Sequence, residues 1–212
     1  VTGSLIREGV PSILNPLDAC ALEAAVRFKE AYGGAVTVIS MGPPQAEQAL
    51  RQCISVGADD AVLITDRAFK DSDTLATSYA LSLTAKQLNS FDVIFCGKHT
   101  LDGETGQVGP QIAEHLNYNQ VTSVMDVKLD NGTLLTVREL EEGRQTVQAA
   151  LPCVITVTKT NYTPRYPSIK SKMAANKKEI KILSASQIEG LDMNSIGMSG
   201  SRTTVVKSFV PA

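Results

Sequence analysis

The sequence predicts an α/β fold: a doubly wound, mostly parallel sheet with added antiparallel strands and an extended C-terminal arm. Three observations lead there. Apolar runs at 35–41 (AVTVISM), 61–65 (AVLIT) and 91–96 (FDVIFC) alternate with longer stretches of helical spacing. Those runs are nearly continuous, as strands covered on both faces are. After Leu116 the pattern turns to strand upon strand, with an Asn131-Gly132 turn between two of them.

The first helix is predicted over 15–34. Asn15 stands at the N-cap, Pro16 at the first helical position, and Asp18 in the first turn, where the helix dipole favours an acid. Leu17, Ala21, Leu22, Ala25 and Phe28 form its apolar face, and Gly33 and Gly34 end it. Strand 35–41 follows. A helix over 43–57 repeats the logic, with Pro44 early and Gly57 late, and leads into strand 61–65. The next helix, 73–89, opens at Asp73 as its cap and precedes strand 91–96. A further helix is expected over 105–117. Residues 121–140 predict a hairpin, and 143–160 predict more strand, broken by Pro152; all of this reads as antiparallel. From Tyr162 the apolar runs shorten, and the tail predicts an arm with one strand at 203–208. The chain divides into an α/β domain over 1–160 and a docking and C-terminal extension over 161–212, packed on or beside it.

Composition limits the function classes. With 212 residues, 43% hydrophobic and 20% charged, the chain is globular in make-up. A net charge of −2 and a pI near 5.7 argue against nucleic acid as main partner. No apolar run reaches the ~18 residues of a membrane span, and no signal peptide is visible. Cys20, Cys53, Cys96 and Cys153 are widely spread and never form C-x-x-C, so they read as small hydrophobes in a reducing compartment rather than zinc ligands. Neither His99 nor His115 has metal-ligand spacing. Walker-A, G-x-G-x-x-G, G-x-S-x-G and H-E-x-x-H patterns are missing. No catalytic residue and no metal ligand is assigned.

The segment CGKHTLDGETGQVGP (96–110) is the candidate site. Its glycines let backbone approach a ligand, and the helix after it offers unpaired N–H groups with a partial positive charge. Gly106, Gln107 and Val108 would supply those donors to a phosphate, and Thr105 a hydroxyl. Asp102 and Glu104 do not suit a phosphate; Asp102 would accept from the loop backbone or from a ribose. A plain solvated connection is the competing reading. Downstream, seven of the 20 lysines and arginines lie between Lys159 and Lys181. There Ile169 and Met173 sit among lysines, including Lys170, a composition that fits a docking segment for an acidic partner as well as a solvated arm.

The stretches NPLDACALEAAVRFKE, VISMGPPQAEQALRQCISVGADDAVLITD, DTLATSYAL, CGKHTLDGETGQVGPQIAEHL, LPCVITVTKTNYTPRYPSIKSKMAANKKEI and GSRTTVVKSF occur in this order and cover most of the chain. Together they resemble the β subunit of electron-transfer flavoproteins. The resemblance implies a Rossmann-like, adenine-nucleotide-binding domain in an αβ heterodimer whose α subunit carries the FAD that shuttles electrons. It implies nucleotide-binding roles for Asn15, Pro16, Leu17 and Asp18, for Met41 on the adenine side, and for Gly97, Lys98, Thr100, Asp102, Gly103, Glu104, Thr105, Gly106, Gln107 and Val108 around the phosphates.

The run DGETGQVGP resembles the electron-bifurcating members, usually DGDTAQVGP, although Glu104 and Gly106 depart from that pattern. By that likeness this subunit holds FAD rather than AMP, a small residue at 103 leaving room for the longer ligand. The resemblance then implies NADH as donor, ferredoxin or flavodoxin as one acceptor, and an acyl-CoA dehydrogenase reached through the α-subunit flavin, in a bacterial-type cytoplasm. Ile169 matches the aliphatic docking anchor, where leucine is commoner. The family has a strand ahead of VTGSLIREG and an arm past Pro211 that embraces the α subunit. By the resemblance the chain looks clipped at both ends: if that strand is truly absent, the sheet has lost a central member, and if it is only disordered or renumbered, nothing changes. Two alternatives stand beside this: an AMP-binding, non-bifurcating β subunit, and a stand-alone nucleotide-sensing module of the universal-stress-protein kind.

Overall fold

The first helix, α1 (Pro16–Tyr32), ends at Gly33, whose φ of 85° suits the residue. In this computed structural model residues 13–88, 90–203 and 206 are described; the strand expected at 203–208 lies almost wholly outside them. After α1 come β1 (Thr37–Met41), α2 (Glu47–Ser55), β2 (Asp60–Ile64), α3 (Thr74–Leu88), β3 (Val93–Gly97) and α4 (Val108–Leu116). Then follow β4 (Asn119–Asp130), β5 (Thr133–Leu140), β6 (Gly143–Ala150), β7 (Cys153–Val157), α5 (Ile169–Lys177), β8 (Lys181–Leu183) and a short α6 (Gly197–Gly200). The alternation of apolar runs and helices thus holds as an α/β fold. Asp73 caps α3 as expected, accepting from the Ala76 N–H at 3.0 Å. Asn131 and Gly132, both at positive φ, make the tight turn between β4 and β5.

Strand order departs from the expectation in one respect. The parallel strands β1, β2 and β8 make one sheet, in the order β1-β2-β8. The other sheet runs β3-β7-β4-β5-β6. Its β4, β5 and β6 are antiparallel neighbours, but β7 is not antiparallel material: it lies between β3 and β4 and runs parallel to both. Its five residues are all buried, which explains the unbroken apolar run CVITV. A cleft of about 660 Å³ separates the two sheets and is lined along their length by β1 and β3. Neither strand has a ladder partner on that side among the described residues.

The region after Tyr162 is more regular than its composition suggests. The basic run contains α5 rather than a loop, with Ser168 capping it by accepting from the Ser171 N–H. Strand β8 extends the first sheet, and the tail carries 3-10 turns and α6 rather than a simple extended arm. At α6 only glycine fits: Gly197 has φ of 59°, and a Cβ there would stand 2.3 Å from the Ala68 carbonyl oxygen.

Helix α1 packs alanines against the second sheet. Ala21 and Ala24 meet Val121, Val124, Cys153, Ile155 and Val157, while Leu22 and Val26 turn toward Cys53 and Ala58. One polar residue shares this burial. Glu23, 3% exposed, accepts from Arg27 Nε at 2.7 Å and from Arg165 through both its backbone N–H and Nε at 3.0 and 2.8 Å. Arg165 reaches on to Glu30 at 2.6 and 3.0 Å, and Arg27 stacks over the Tyr162 ring at 4.4 Å. Burial raises the Glu23 carboxyl, but hydrogen bonds from Arg165 and Arg27 outweigh it and hold it below its ordinary value; Arg165 lowers Glu30 too.

Removing the central acid tests this knot. Glu23→Ala leaves Arg165 and Arg27 together without their shared counter-charge, and should cost about 3–5 kcal/mol in urea unfolding at neutral pH. Both carboxyls titrate lower in the folded chain than in the unfolded one. Their stabilisation is therefore full above the ordinary carboxylate range and lost as pH falls through the folded values. Parent and variant stabilities should therefore converge as pH falls below the ordinary carboxylate range; a gap that persists at the acid limit would assign the loss to packing.

Candidate functional site

At the C-terminal ends of β1 and β3 the first turn of α1 meets the chain leaving β3. Asp18 Oδ1 accepts from the Gly97 N–H at 2.8 Å, and Asn15 Nδ2 donates to Asp18 Oδ2 and to the His99 carbonyl, both at 3.0 Å. Only glycine allows this approach, because a Cβ on Gly97 would stand 2.6 Å from Asp18 Oδ1 and 2.7 Å from the Asp18 nitrogen. Asn15 occupies the N-cap position, yet its side chain makes no capping bond. Its amide nitrogen is committed to two acceptors. Its Oδ1, buried, has no partner among the described residues.

Past Gly97 the loop is built by its own backbone. The Lys98 N–H continues the ladder by donating to the Val157 carbonyl at 2.8 Å. The Glu104 N–H then closes a turn on the Thr100 carbonyl at 3.0 Å, with Gly103 N–H toward Thr100 Oγ1 at 3.4 Å. Glu104 (φ 50°) and Gly106 (φ 63°) reverse the chain into α4. These left-handed residues delay the helix, so α4 starts at Val108 and not at 105. Pro110 at its third position has no N–H to orphan. Among the described residues the N–H groups of Gly106, Gln107 and Val108 make no hydrogen bond within the protein. The Gln107 side chain instead accepts from Thr74 Oγ1 at 2.8 Å and ties α4 to the start of α3.

The site residues expected from sequence divide into two groups. Asp18, Met41, Gly97, Lys98, Thr100, Thr105, Gly106, Gln107 and Val108 all line the cleft. Asn15, Pro16 and Leu17 stand just behind its wall, Asn15 through the bonds already given. Asp102, Gly103 and Glu104 form the exposed outer turn, and Asp102 takes none of the loop's hydrogen bonds among the described residues. Sequence reasoning missed Gly109. A Cβ there would stand 2.5 Å from Thr156 Cγ2, so this glycine lets the start of α4 press onto β7; its only trace in the sequence is its place in V-G-P.

The groups that meet here suit binding of a phosphate. The Cys96 thiol beside the loop is pushed up to about 12 by burial, with Asp18 adding to the effect, so it is no thiolate nucleophile. No cluster of metal-ligating side chains occurs among the described residues. What the loop offers is a set of backbone donors at a helix N-terminus, unbonded among the described residues, with Lys98 and hydroxyls beside them. Elsewhere, Ile169 opens α5 at 81% exposure, with Met173 one turn on at 59%. Both, with Lys170, line a shallow hollow that shares no residue with the cleft.

Gly97→Ala should push the first turn of α1 from the end of β3 and cost about 1–3 kcal/mol of stability. Asp18→Ala, which strands the Gly97 N–H, should cost a similar amount, about 1–3 kcal/mol. Chemical denaturation of each variant measures this. Because they break one contact, the double variant should cost clearly less than the two losses added together.

Comparison with known proteins agrees with this geometry. Residues 2–188 match the electron transfer flavoprotein domain. The chain is 51% identical over 212 residues to an electron transfer flavoprotein subunit beta of Thermoanaerobacterium thermosaccharolyticum, covering 100% of this chain and 81% of that one. It is 45% identical to the protein FixA of Azotobacter vinelandii, over 100% of this chain and 77% of the relative. It is 44% identical to the caffeyl-CoA reductase-Etf complex subunit CarD of Acetobacterium woodii, over 99% and 80%. No helix among the described residues is long and apolar enough to cross a membrane. With a family match over residues 2–188 and a β-subunit relative 51% identical across the whole of this chain, the chain belongs to the electron transfer flavoprotein family.

Proposed function

We propose that this chain is the β subunit of a heterodimeric electron-transfer flavoprotein and that it holds FAD at the C-terminal ends of β1 and β3. The observation that carries this is the set of N–H groups on the cleft wall at Gly106, Gln107 and Val108, which make no hydrogen bond among the described residues. Such donors at a helix N-terminus suit phosphate oxygens. Lys98 and Thr105 add a cation and a hydroxyl on the same wall. Gly103 favours FAD over AMP in this reading by its likeness to the bifurcating pattern, where a small residue leaves room for a longer ligand. Thr105-Gly106-Gln107 fits either nucleotide, so AMP with a structural role is the second reading. The stand-alone sensing module loses its support once the family is known.

A bound flavin supplies the redox chemistry; the chain's own residues bind it, orient it and limit water around it. In this reading NADH donates the electrons. One acceptor is ferredoxin or flavodoxin, and the other an acyl-CoA dehydrogenase served through the α-subunit flavin, all in a bacterial cytoplasm. The partner-side contact is Ile169 with Met173 and Lys170, an apolar anchor rimmed by charge. A further parallel strand between β1 and β3 completes the wall beneath the nucleotide; neither strand has a partner on that side among the described residues, which supports it.

Denaturing the complex with the α subunit and identifying the released nucleotides by chromatography and mass tests the central proposal. Two FAD per heterodimer is the expected result. One FAD with one AMP would withdraw the NADH-oxidising role and leave the subunit's nucleotide structural. Ile169→Ala should weaken docking of the dehydrogenase by about 1–3 kcal/mol while nucleotide content stays the same; unchanged docking would remove Ile169 as anchor.

A further inference from the structure

The segment from the end of β7 to the start of α5 is packed through Thr158, Thr160 and Tyr162 but has few main-chain bonds to the body. Residues 158–168 form no helix or strand, and they include Tyr166 at 90% exposure and prolines 164 and 167. The Thr158 N–H is still fastened to the Val124 carbonyl. Beyond it, the segment's main chain is tied to the body at one place among the described residues, the Arg165 N–H on Glu23. Helix α5 is secured from its other end. Arg51 Nη1 donates to the carbonyls of Ala175, Asn176 and Lys178 at 2.9 to 3.1 Å, and Lys178 pairs with Asp60 at 2.8 Å. So the far end of α5 is pinned by Arg51 and Lys178. Its near end, where Ile169 and Met173 project, follows from where Arg165 sits.

We propose that Arg165, gripped by Glu23 and Glu30 of α1, is the positioning residue of the docking surface: it sets where Tyr166, Ile169 and Met173 stand for the partner protein. The inference rests on the docking role given to Ile169 above. The argument is geometric. Five hydrogen bonds run from Arg165 to two carboxylates on one helix face, with distances of 2.6 to 3.1 Å. A guanidinium held by two carboxylates has few alternative placements, whereas a lysine offers one point of charge. An anchor four residues downstream, on a segment whose main chain beyond Thr158 is bonded to the body only at Arg165 among the described residues, inherits that placement. Apolar anchors give affinity only when presented in one arrangement, since ordering them at the moment of contact is unfavourable.

The test uses the αβ complex, with a short-chain acyl-CoA dehydrogenase as electron partner and a small redox dye as an acceptor that needs no docking. Arg165→Met should raise the apparent KM for the dehydrogenase about tenfold, as a loss of presentation equal to one anchor would. Arg165→Lys should fall between it and the parent. Dye reduction and bound nucleotide should stay at parent levels for both. Amide exchange should rise across 162–169 and stay slow at 174–177, which a general loss of stability would not produce. Glu30→Gln removes only the exposed half of the grip, and should raise KM about two- to threefold even where Arg165→Met does not fold. A parent-like KM in Arg165→Met, or in Glu30→Gln if that alone folds, overturns the inference while Ile169→Ala still raises KM. If Ile169→Ala is also parent-like, the docking reading itself falls and takes this inference with it. Faster dye reduction or lost nucleotide accompanying every KM change would equally overturn it.

Discussion

The approach of α1 to the end of β3, at Gly97, governs the rest. With no Cβ in the way, the Asp18 carboxylate meets the Gly97 N–H, and Asn15 follows onto the His99 carbonyl. That contact fixes the direction in which the chain leaves the strand, and so where the loop turns and where α4 begins. It also turns the Asn15 amide so that its nitrogen is spent inside the protein and its oxygen is not. A site for a charged ligand is thereby made mostly from main chain. The only cation on its wall within the loop is Lys98, and the donors that matter belong to peptide groups whose positions a side-chain substitution cannot easily move. Such a site can serve a chain of net charge −2 without a basic face.

Much of this was legible in the sequence, and the failures have physical causes. Helix α1 announced itself through Asn15, Pro16 and the double glycine, and Gly97 to Val108 stood out by glycine content beside an apolar strand. What periodicity cannot give is neighbourhood. CVITV reads as a strand, but whether it runs parallel or antiparallel depends on which strands it joins, so β7 was assigned the wrong sense. Helix α5 was hidden because IKSKMAANK buries only Ala175 and has no clear apolar stripe; its stability comes from the Ser168 cap and from Arg51 on its last carbonyls. The start of α4 slipped by three residues because φ at Glu104 and Gly106 is set by the loop closing on Thr100. Nothing in the spacing of Asn15 shows that its oxygen is left over.

Charge is used in two distinct ways. In the cleft it is kept low and backbone dipoles act in its place. On the opposite flank of α1 it is concentrated: Glu23, Arg27, Glu30 and Arg165 form a knot around a residue that is almost wholly buried. One helix therefore carries the ligand wall at its first turn and the fastening of the docking segment further along. The two tasks share a rod but no residue.

The split between the sheets has a mechanical consequence. With no ladder joining β1 to β3 among the described residues, the halves are tied by side-chain packing of α1 and α3, which contribute to cores on both sides. Each ladder resists shear within its own half. Across the seam α1 and α3 bridge the two cores, and a strand seated between β1 and β3 would join both ladders into one.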